Sequence, residues 1–169
     1  MTALVRMQKE EGNDMSVKKV EEYLKQFHIE HKIQILDQSS ATVELAAKAL
    51  GCEPARIAKT LSFYAGPQPI LIVAAGDVKI DNKKYKQEFG TKAKMISFQD
   101  VEKVIGHAPG GVCPFAVNRG VKVYLDQSLK RFQTVFPAAG SGNSAIEMNM
   151  KELEQCSRAE KWIDVCKEV

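Results

Sequence analysis

The segment KTLSFYAGPQPILIVAA, residues 59–75, predicts two strands joined by a short turn. Residues 59–65 fit a strand whose side chains alternate between two faces, and Gly66-Pro67-Gln68-Pro69 supplies turn residues. Residues 70–75, ILIVAA, form a continuous apolar run, which is typical of a strand buried on both faces. This segment therefore predicts the centre of a sheet.

Further helices and strands are predicted on both sides of this segment from capping residues and apolar periodicity. The predicted helices are 16–27 capped by Ser16, 43–50 between Thr42 and Gly51, one between Asp81 and Gly90, one from the capping-box-like run Ser97 to Asp100 up to Gly106, and 151–156. The further predicted strands are 33–36, 93–96, 121–125, 134–136 and 145–148, with an extended end at 162–165. Several strands are close in sequence, which indicates an α/β fold whose sheet is mixed and not a doubly wound parallel sheet.

The composition is that of one ordinary globular domain. The chain has 169 residues, of which 44% are hydrophobic and 27% charged, and its net charge is +3. Residues 1–14 are polar and predict a disordered N-terminal tail, so the predicted domain spans 15–169. Because no apolar run reaches the ~20 residues of a membrane helix and no signal peptide is recognisable, we expect a cytoplasmic protein.

The cysteines and histidines predict no metal site, and no cofactor is expected. The cysteines form no C-x-x-C pair and are interpreted as free thiols, and the two closely spaced histidines lack an obvious third ligand. No G-x-x-x-x-G-K-[ST] or G-x-G-x-x-G motif occurs, which argues against a nucleoside triphosphate or dinucleotide. The residues concerned are Cys52, Cys113, Cys156, Cys166, His28 and His31.

Lys59 is the first candidate for chemistry. On an alternating strand it shares a face with Leu61 and Phe63, where a buried ammonium loses hydration. It then needs an anionic or polar partner, or its pKa falls. If Lys59 instead occupies the first position of the strand, its side chain points from the sheet edge into water. The pattern leaves both interpretations open.

The loop Gly110-Gly111-Val112-Cys113-Pro114 is the second candidate. Paired glycines let the backbone approach a ligand closely, and Pro114 restrains Cys113 toward an extended conformation. Such a loop can bind a substrate through main-chain hydrogen bonds, although the same residues also suit a plain turn between helix and strand. Cys113 could act as a nucleophile only with a histidine base and a lowered pKa.

Three motifs, in this order, resemble the YbaK/EbsC-type aminoacyl-tRNA editing family, which is similar to the editing domain inserted in bacterial prolyl-tRNA synthetases. They are IAKTL at 57–61, PGGVCPF at 109–115 and SAIEM at 144–148, and the resemblance extends from about Ser16 to the C-terminus. It implies a curved, partly barrel-like mixed β-sheet flanked by helices. It also implies a hydrolase that acts in trans on the ester of mischarged tRNA, usually a small amino acid on tRNA(Pro), without a metal.

The resemblance also implies roles for individual residues. Lys59 would hold the terminal adenosine, the Gly110 and Gly111 backbone would bind the developing oxyanion, and the 2′-hydroxyl of the tRNA would take part in the reaction. The implied substrate-binding residues are Thr42, Val112, Cys113, Pro114, Gly140, Asn143 and Ser144. The implied tRNA-binding residues, which would contact phosphates, are Lys79, Lys83, Lys84 and Lys86. A solvated helix face is the alternative interpretation of these lysines.

The expected partners are the acceptor end of mischarged tRNA and prolyl-tRNA synthetase, with no membrane and no DNA. The chain departs from the family's Cys-tRNA(Pro) deacylases at Thr42, Ala138 and Ala145, where that subgroup has phenylalanine, serine and aspartate. These departures leave the amino acid that is removed open. Two alternatives remain: a non-catalytic tRNA- or synthetase-binding module of the same fold, and a thiol-dependent hydrolase that uses Cys113.

Overall fold

A computed structural model describes residues 15–169, so the predicted tail at 1–14 lies outside the described residues. The helices are α1 (15–24), α2 (Val43–Leu50), α3 (Asn82–Phe89), α4 (Val101–Ile105) and α5 (Met150–Ser157). The strands are β1 (Gln34–Ile35), β2 (Ile57–Ala65), β3 (Gln68–Ala75), β4 (Val78–Ile80), β5 (Lys94–Met95), β6 (Lys122–Asp126), β7 (Thr134–Pro137), β8 (Ser144–Ala145), β9 (Met148–Asn149), β10 (Lys161–Ile163) and β11 (Cys166–Glu168).

The central sheet is mixed, as predicted. Its strands run in the order β10-β6-β3-β2-β7-β9, with β5 also paired to β2. The β2–β3 pair is antiparallel, with Ala58 opposite Ala75 and Ala65 opposite Gln68, whereas β3–β6, β6–β10 and β2–β7 are parallel. The sheet curls into a half-barrel flanked by helices, which confirms the predicted fold class.

Strand β3 lies at the centre of the hydrophobic core. Residues 70–75 are at most 1% exposed, as their apolar run predicts. Leu24 of α1, Tyr85 of α3 and Leu153 of α5 are fully buried in the same core. A second, smaller apolar cluster joins α2 to the first residue of β2 and to Phe136 of β7, and this junction positions the site described below.

Local capping predictions agree with the structure for α2 and α3. Thr42 accepts a hydrogen bond from Leu45 N–H at the start of α2, and Asp81 accepts from two backbone N–H groups of α3. Two other capping predictions are wrong. Ser16 lies inside α1, since residue 15 is already helical. The Ser97 hydroxyl donates to the Asp100 carboxylate, so the reciprocal contacts of a capping box do not form.

The predicted strand at 145–148 is two short strands with different partners. Strand β8 pairs with β1, whereas β9 pairs with β7, so the chain changes sheets between them. Strands β4 and β11 were not predicted, and they form a small antiparallel sheet of their own. Among residues 15–169, no helix combines the length and the apolar character that crossing a membrane requires.

Candidate active site

A cavity of about 340 Å³ lies between α2, the first half of β2 and three loops. Its polar lining includes Lys59, Thr42 and Ser144, and its backbone lining includes Gly110. The remaining wall is formed by Ser40, Ala41, Val43, Ala46, Leu50, Ile57, Ala58, Thr60, Leu61, Val112, Phe136, Ala138 and Ala145. The structure therefore brings Lys59 and the glycine loop to one cavity.

Backbone contacts hold the three loops of the cavity together. Ser40 N–H donates to the Gly142 carbonyl at 2.6 Å, and Leu36 N–H donates to the Asn143 carbonyl at 2.7 Å. A Cβ built on Gly110 would lie 3.6 Å from the Ala41 Cβ, which is ordinary van der Waals contact. The segment before α2 thus rests on the loop at 140–144 and reaches the glycine loop.

Gly111 and Gly140 hold two of these loops in close approach behind the cavity. A Cβ on Gly111 would lie 2.7 Å from the Gly140 carbonyl oxygen, and a Cβ on Gly140 would lie 2.7 Å from the Ser16 carbonyl oxygen. The Gly111 N–H donates to the Ala108 carbonyl at 3.0 Å. Neither glycine lines the cavity. Both glycines instead support the loops from behind.

Lys59 is half-buried on β2, opposite Ala74 of β3. Its Nζ donates to the Val78 carbonyl oxygen. Burial lowers the pKa of Lys59, although the neighbouring Cys166 and Asp77 act in the opposite direction. Of the two interpretations left open by the sequence, the observed one is the partly buried amine with a polar partner.

An ion pair between Asp77 and Arg131 lies close enough to Lys59 for Asp77 to influence its pKa. Asp77, which precedes Val78, is held by two hydrogen bonds from the Arg131 guanidinium, at 2.9 and 2.6 Å. These hydrogen bonds lower the pKa of the Asp77 carboxyl group. The Asp77 carboxylate is therefore charged at neutral pH, and it favours the charged form of Lys59.

Cys113 and His107 form a buried pair, each with 0% exposure. The Cys113 Sγ lies 3.5 Å from His107 Nε2, which lies 2.6 Å from the Phe115 carbonyl oxygen. Because a carbonyl only accepts, Nε2 carries the hydrogen and cannot deprotonate the thiol. Burial raises the pKa of Cys113 to about 12 and lowers that of His107 to about 4. This geometry argues against Cys113 as a nucleophile.

Some of the other predicted substrate-binding residues line the cavity, and the rest lie outside it. Thr42, Val112 and Ser144 line the cavity, whereas Asn143 does not. Pro114 faces a different groove, beside α1. The Ser141 hydroxyl, which the sequence analysis missed, donates to Asn143 Oδ1 at 2.8 Å and lies 2.8 Å from Ser144 Oγ. This network fixes the loop at 141–144.

The predicted tRNA-binding lysines lie on β4 and α3. Lys79, Lys83 and Lys86 are exposed. Lys84 is more constrained, because its Nζ lies 3.0 Å from the Asp164 carboxylate and also donates to the Cys166 carbonyl. Among residues 15–169, no group of three or more His, Cys, Asp or Glu side chains could hold a metal ion.

Two cavity residues stand next to predicted ones but were missed. Thr60 follows Lys59, and Ser40 precedes Thr42 by two positions. For Thr60 the signal was its place in the IAKTL motif, although strand alternation assigned it to the face opposite Lys59. Ser40 lies in an irregular segment, where the sequence carries no periodic signal.

Comparisons with known proteins point to one family. The sequence model described as the aminoacyl-tRNA editing domain matches residues 37–156. A Bacillus subtilis (strain 168) protein named "Uncharacterized protein YwhH" is 56% identical over 155 residues, which cover 91% of this chain and 99% of that protein. The region matched by the family model therefore includes the cavity, with both Lys59 and the glycine loop.

Two further similarities concern proline–tRNA ligase. The Limosilactobacillus fermentum enzyme of that name is 32% identical over 95 residues, which cover 53% of this chain and 17% of the ligase. The chain thus matches only a small part of the ligase. A crystal structure described as a proposed trans-editing enzyme for prolyl tRNA synthetase superposes with a TM-score of 0.81 at 27% identity, covering 90% of this chain and 97% of the other.

Proposed function

Because this chain belongs to the aminoacyl-tRNA editing domain family, we propose that it is a trans-editing hydrolase. Its substrate is a mischarged aminoacyl-tRNA, namely tRNA(Pro) that carries a small amino acid. The observation that carries this proposal is the cavity of about 340 Å³ that Lys59 and Gly110 both line. A volume near the lower end of the ~300–1,000 Å³ typical of ligand sites favours a small acyl group.

The proposed mechanism relies on positioning, since an aminoacyl ester is already reactive. Gly110 and Val112 line the cavity, and within residues 15–169 neither backbone N–H donates to another protein group. These two N–H groups bind the oxyanion that develops when water attacks the ester. We assign this role to Val112 instead of Gly111, because the Gly111 N–H is already bound to Ala108.

Lys59 holds the terminal adenosine of the tRNA through its phosphate or ribose. Its ammonium group has three N–H donors, of which one is bound to the Val78 carbonyl. Within residues 15–169 the other donors have no partner, so they are available to the substrate. The 2′-hydroxyl of the terminal ribose assists the attacking water, so the protein needs no catalytic triad.

The exposed lysines of β4 and α3 bind acceptor-stem phosphates. Lys79, Lys83 and Lys86 provide charge without base readout. Lys84 contributes less, because Asp164 partly neutralises it. Binding of this kind weakens steeply as the salt concentration rises. Prolyl-tRNA synthetase, which releases the mischarged tRNA, is the proposed partner in the cell.

A deacylation panel tests the proposal. Purified protein is incubated with tRNA(Pro) and tRNA(Ala), each charged with several small amino acids, and release of the amino acid is followed over time. The Lys59→Ala variant should lose activity while its thermal unfolding stays cooperative. Lys48→Ala, an exposed lysine on α2 outside the cavity, is the matched control and should stay active. Full activity of Lys59→Ala would refute the mechanism, and tight binding without any hydrolysis would favour the binding-module alternative.

A further inference from the structure

Two of the four hydroxyl groups that line the cavity have hydrogen-bond partners inside the protein. The Thr42 hydroxyl accepts from Leu45 N–H at 3.2 Å, where it caps α2. The Ser144 hydroxyl accepts from Ser141 N–H at 3.1 Å, and Ser141 Oγ lies 2.8 Å away. The Ser144 hydroxyl, which also donates to the Ser141 carbonyl at 3.3 Å, is therefore committed to the fold, whereas the Thr42 hydroxyl keeps its O–H donor.

Ser40 and Thr60 differ from these groups. Both residues line the cavity, and both hydroxyl oxygens are shielded from water without a hydrogen-bond partner among the described residues. A buried hydroxyl without a partner is unfavourable, and such groups in folded proteins call for an explanation. Because both residues line the cavity, a bound ligand that supplies the missing hydrogen bonds would explain why these hydroxyls have no partner.

The rest of the lining narrows the chemistry of that ligand. Much of the cavity lining is apolar, with Leu50, Leu61 and Phe136 among its residues, and Lys59 is the charged residue of that lining within residues 15–169. Among the described residues, the lining contains no carboxylate that could balance an ammonium group. A neutral hydroxyl both donates and accepts, which matches two hydroxyls that can each do the same.

We infer that Ser40 and Thr60 form a polar subsite that recognises the hydroxyl of a small aminoacyl side chain, of the seryl or threonyl type. This inference rests on the proposed function and names the acyl group of its substrate. Since both oxygens are shielded from water in the structure, each side chain must turn about χ1 to meet the ligand. Thr60 is fixed on β2, whereas Ser40 belongs to the irregular segment before α2, where its own N–H donates to the Gly142 carbonyl.

Isosteric acyl groups test the subsite directly. Threonine and valine differ by a hydroxyl in place of a methyl group, as do serine and 2-aminobutyrate. With each of the four loaded on the same tRNA(Pro), kcat/KM of the wild-type protein should favour the hydroxyl member of each pair by about tenfold to a hundredfold. This range corresponds to leaving one or two buried hydroxyls unpaired.

Two variants assign the preference to its residues. Thr60→Val and Ser40→Ala should each reduce the preference, by lowering kcat/KM for threonyl-tRNA more than kcat/KM for valyl-tRNA. The double variant should show little preference. Ser62→Ala, on the same strand but outside the cavity lining, should keep the wild-type ratio. Thermal unfolding of each variant checks that it is folded.

The outcomes separate this inference from the proposed function. Equal hydrolysis of threonyl- and valyl-tRNA by the wild-type protein would overturn the subsite while leaving the hydrolase intact. A preference that survives in the double variant would also overturn it, since other groups would then recognise the hydroxyl. Absence of hydrolysis on every charged tRNA would overturn the proposed function, and the inference with it.

Discussion

Acid should destabilise this protein through His107, which is buried beside the glycine loop. The ring is 0% exposed, its Nε2 donates to the Phe115 carbonyl at 2.6 Å, and its Nδ1 lies 3.4 Å from the Ser16 hydroxyl. Nδ1 therefore accepts, and protonating it would bury a charge and remove that hydrogen bond. Burial accordingly lowers the pKa of His107 to about 4, from 6.5.

The direction and size of the effect follow from linkage. A histidine whose pKa is lower in the folded state binds its proton more readily when unfolded, so stability falls as the pH drops below about 6.5. The loss continues until the pH reaches the folded value of about 4. Each pKa unit corresponds to about 1.4 kcal/mol, which gives a loss of about 2 kcal/mol at pH 5 and about 3 kcal/mol at pH 4.

Urea unfolding at a series of pH values measures this loss. The free energy of unfolding should fall between pH 7 and pH 5 in the wild-type protein, and much less in His107→Gln, which has no titrating ring there. The exposed His28 and His31 are present in both proteins, so the difference in slope belongs to His107. Equal slopes would refute the reasoning, whatever the absolute stabilities are.

Three other substitutions and one reagent probe the site. Gly111→Ala places a Cβ 2.7 Å from a backbone carbonyl oxygen and should cost about 1–3 kcal/mol in urea unfolding, whereas Gly142→Ala, with its nearest contact at 3.6 Å, should cost less. Arg131→Gln removes the guanidinium that binds the Asp77 carboxylate, which in turn influences Lys59. This change should shift the pH–rate profile of deacylation. Cys113, fully buried, should resist a thiol-blocking reagent until the protein unfolds, as mass spectrometry would show.

The parts of the fold that the sequence predicted correctly depend on local physics. Thr42 and Asp81 cap helices through hydrogen bonds to residues two or three positions away, so neighbouring residues suffice to identify them. The run at 70–75 predicts its own burial, because it has no polar residue to present to water. Both features are independent of how distant segments pair.

The parts that were missed depend on pairing between distant segments. Strands β4 and β11 join residues 78–80 to residues 166–168, and three residues are too few to show a period of two. The division of 145–148 into two strands follows from a change of partner, with Ile146 N–H bound to the Pro137 carbonyl in between. No pattern within four residues indicates such a change.

The predicted site residues were chosen from motifs, and the structure sorts them into two physical groups. Lys59, Gly110 and Thr42 line the cavity. Gly111 and Cys113 instead lie behind it, in close packing or full burial. A motif cannot distinguish these groups, because a loop that binds a ligand needs both the residues that touch it and the residues that hold its shape.

The two groups should respond differently to substitution, and this difference bears on how the function is tested. Changing a residue behind the cavity alters stability and activity together, so a loss of activity there says little about chemistry. Lys59, Ser40 and Thr60 are better probes, because their polar atoms contribute little to the fold: two have no hydrogen-bond partner among the described residues, and the third is bound to one backbone carbonyl. Activity that changes at these positions without a change in stability therefore reports on the substrate.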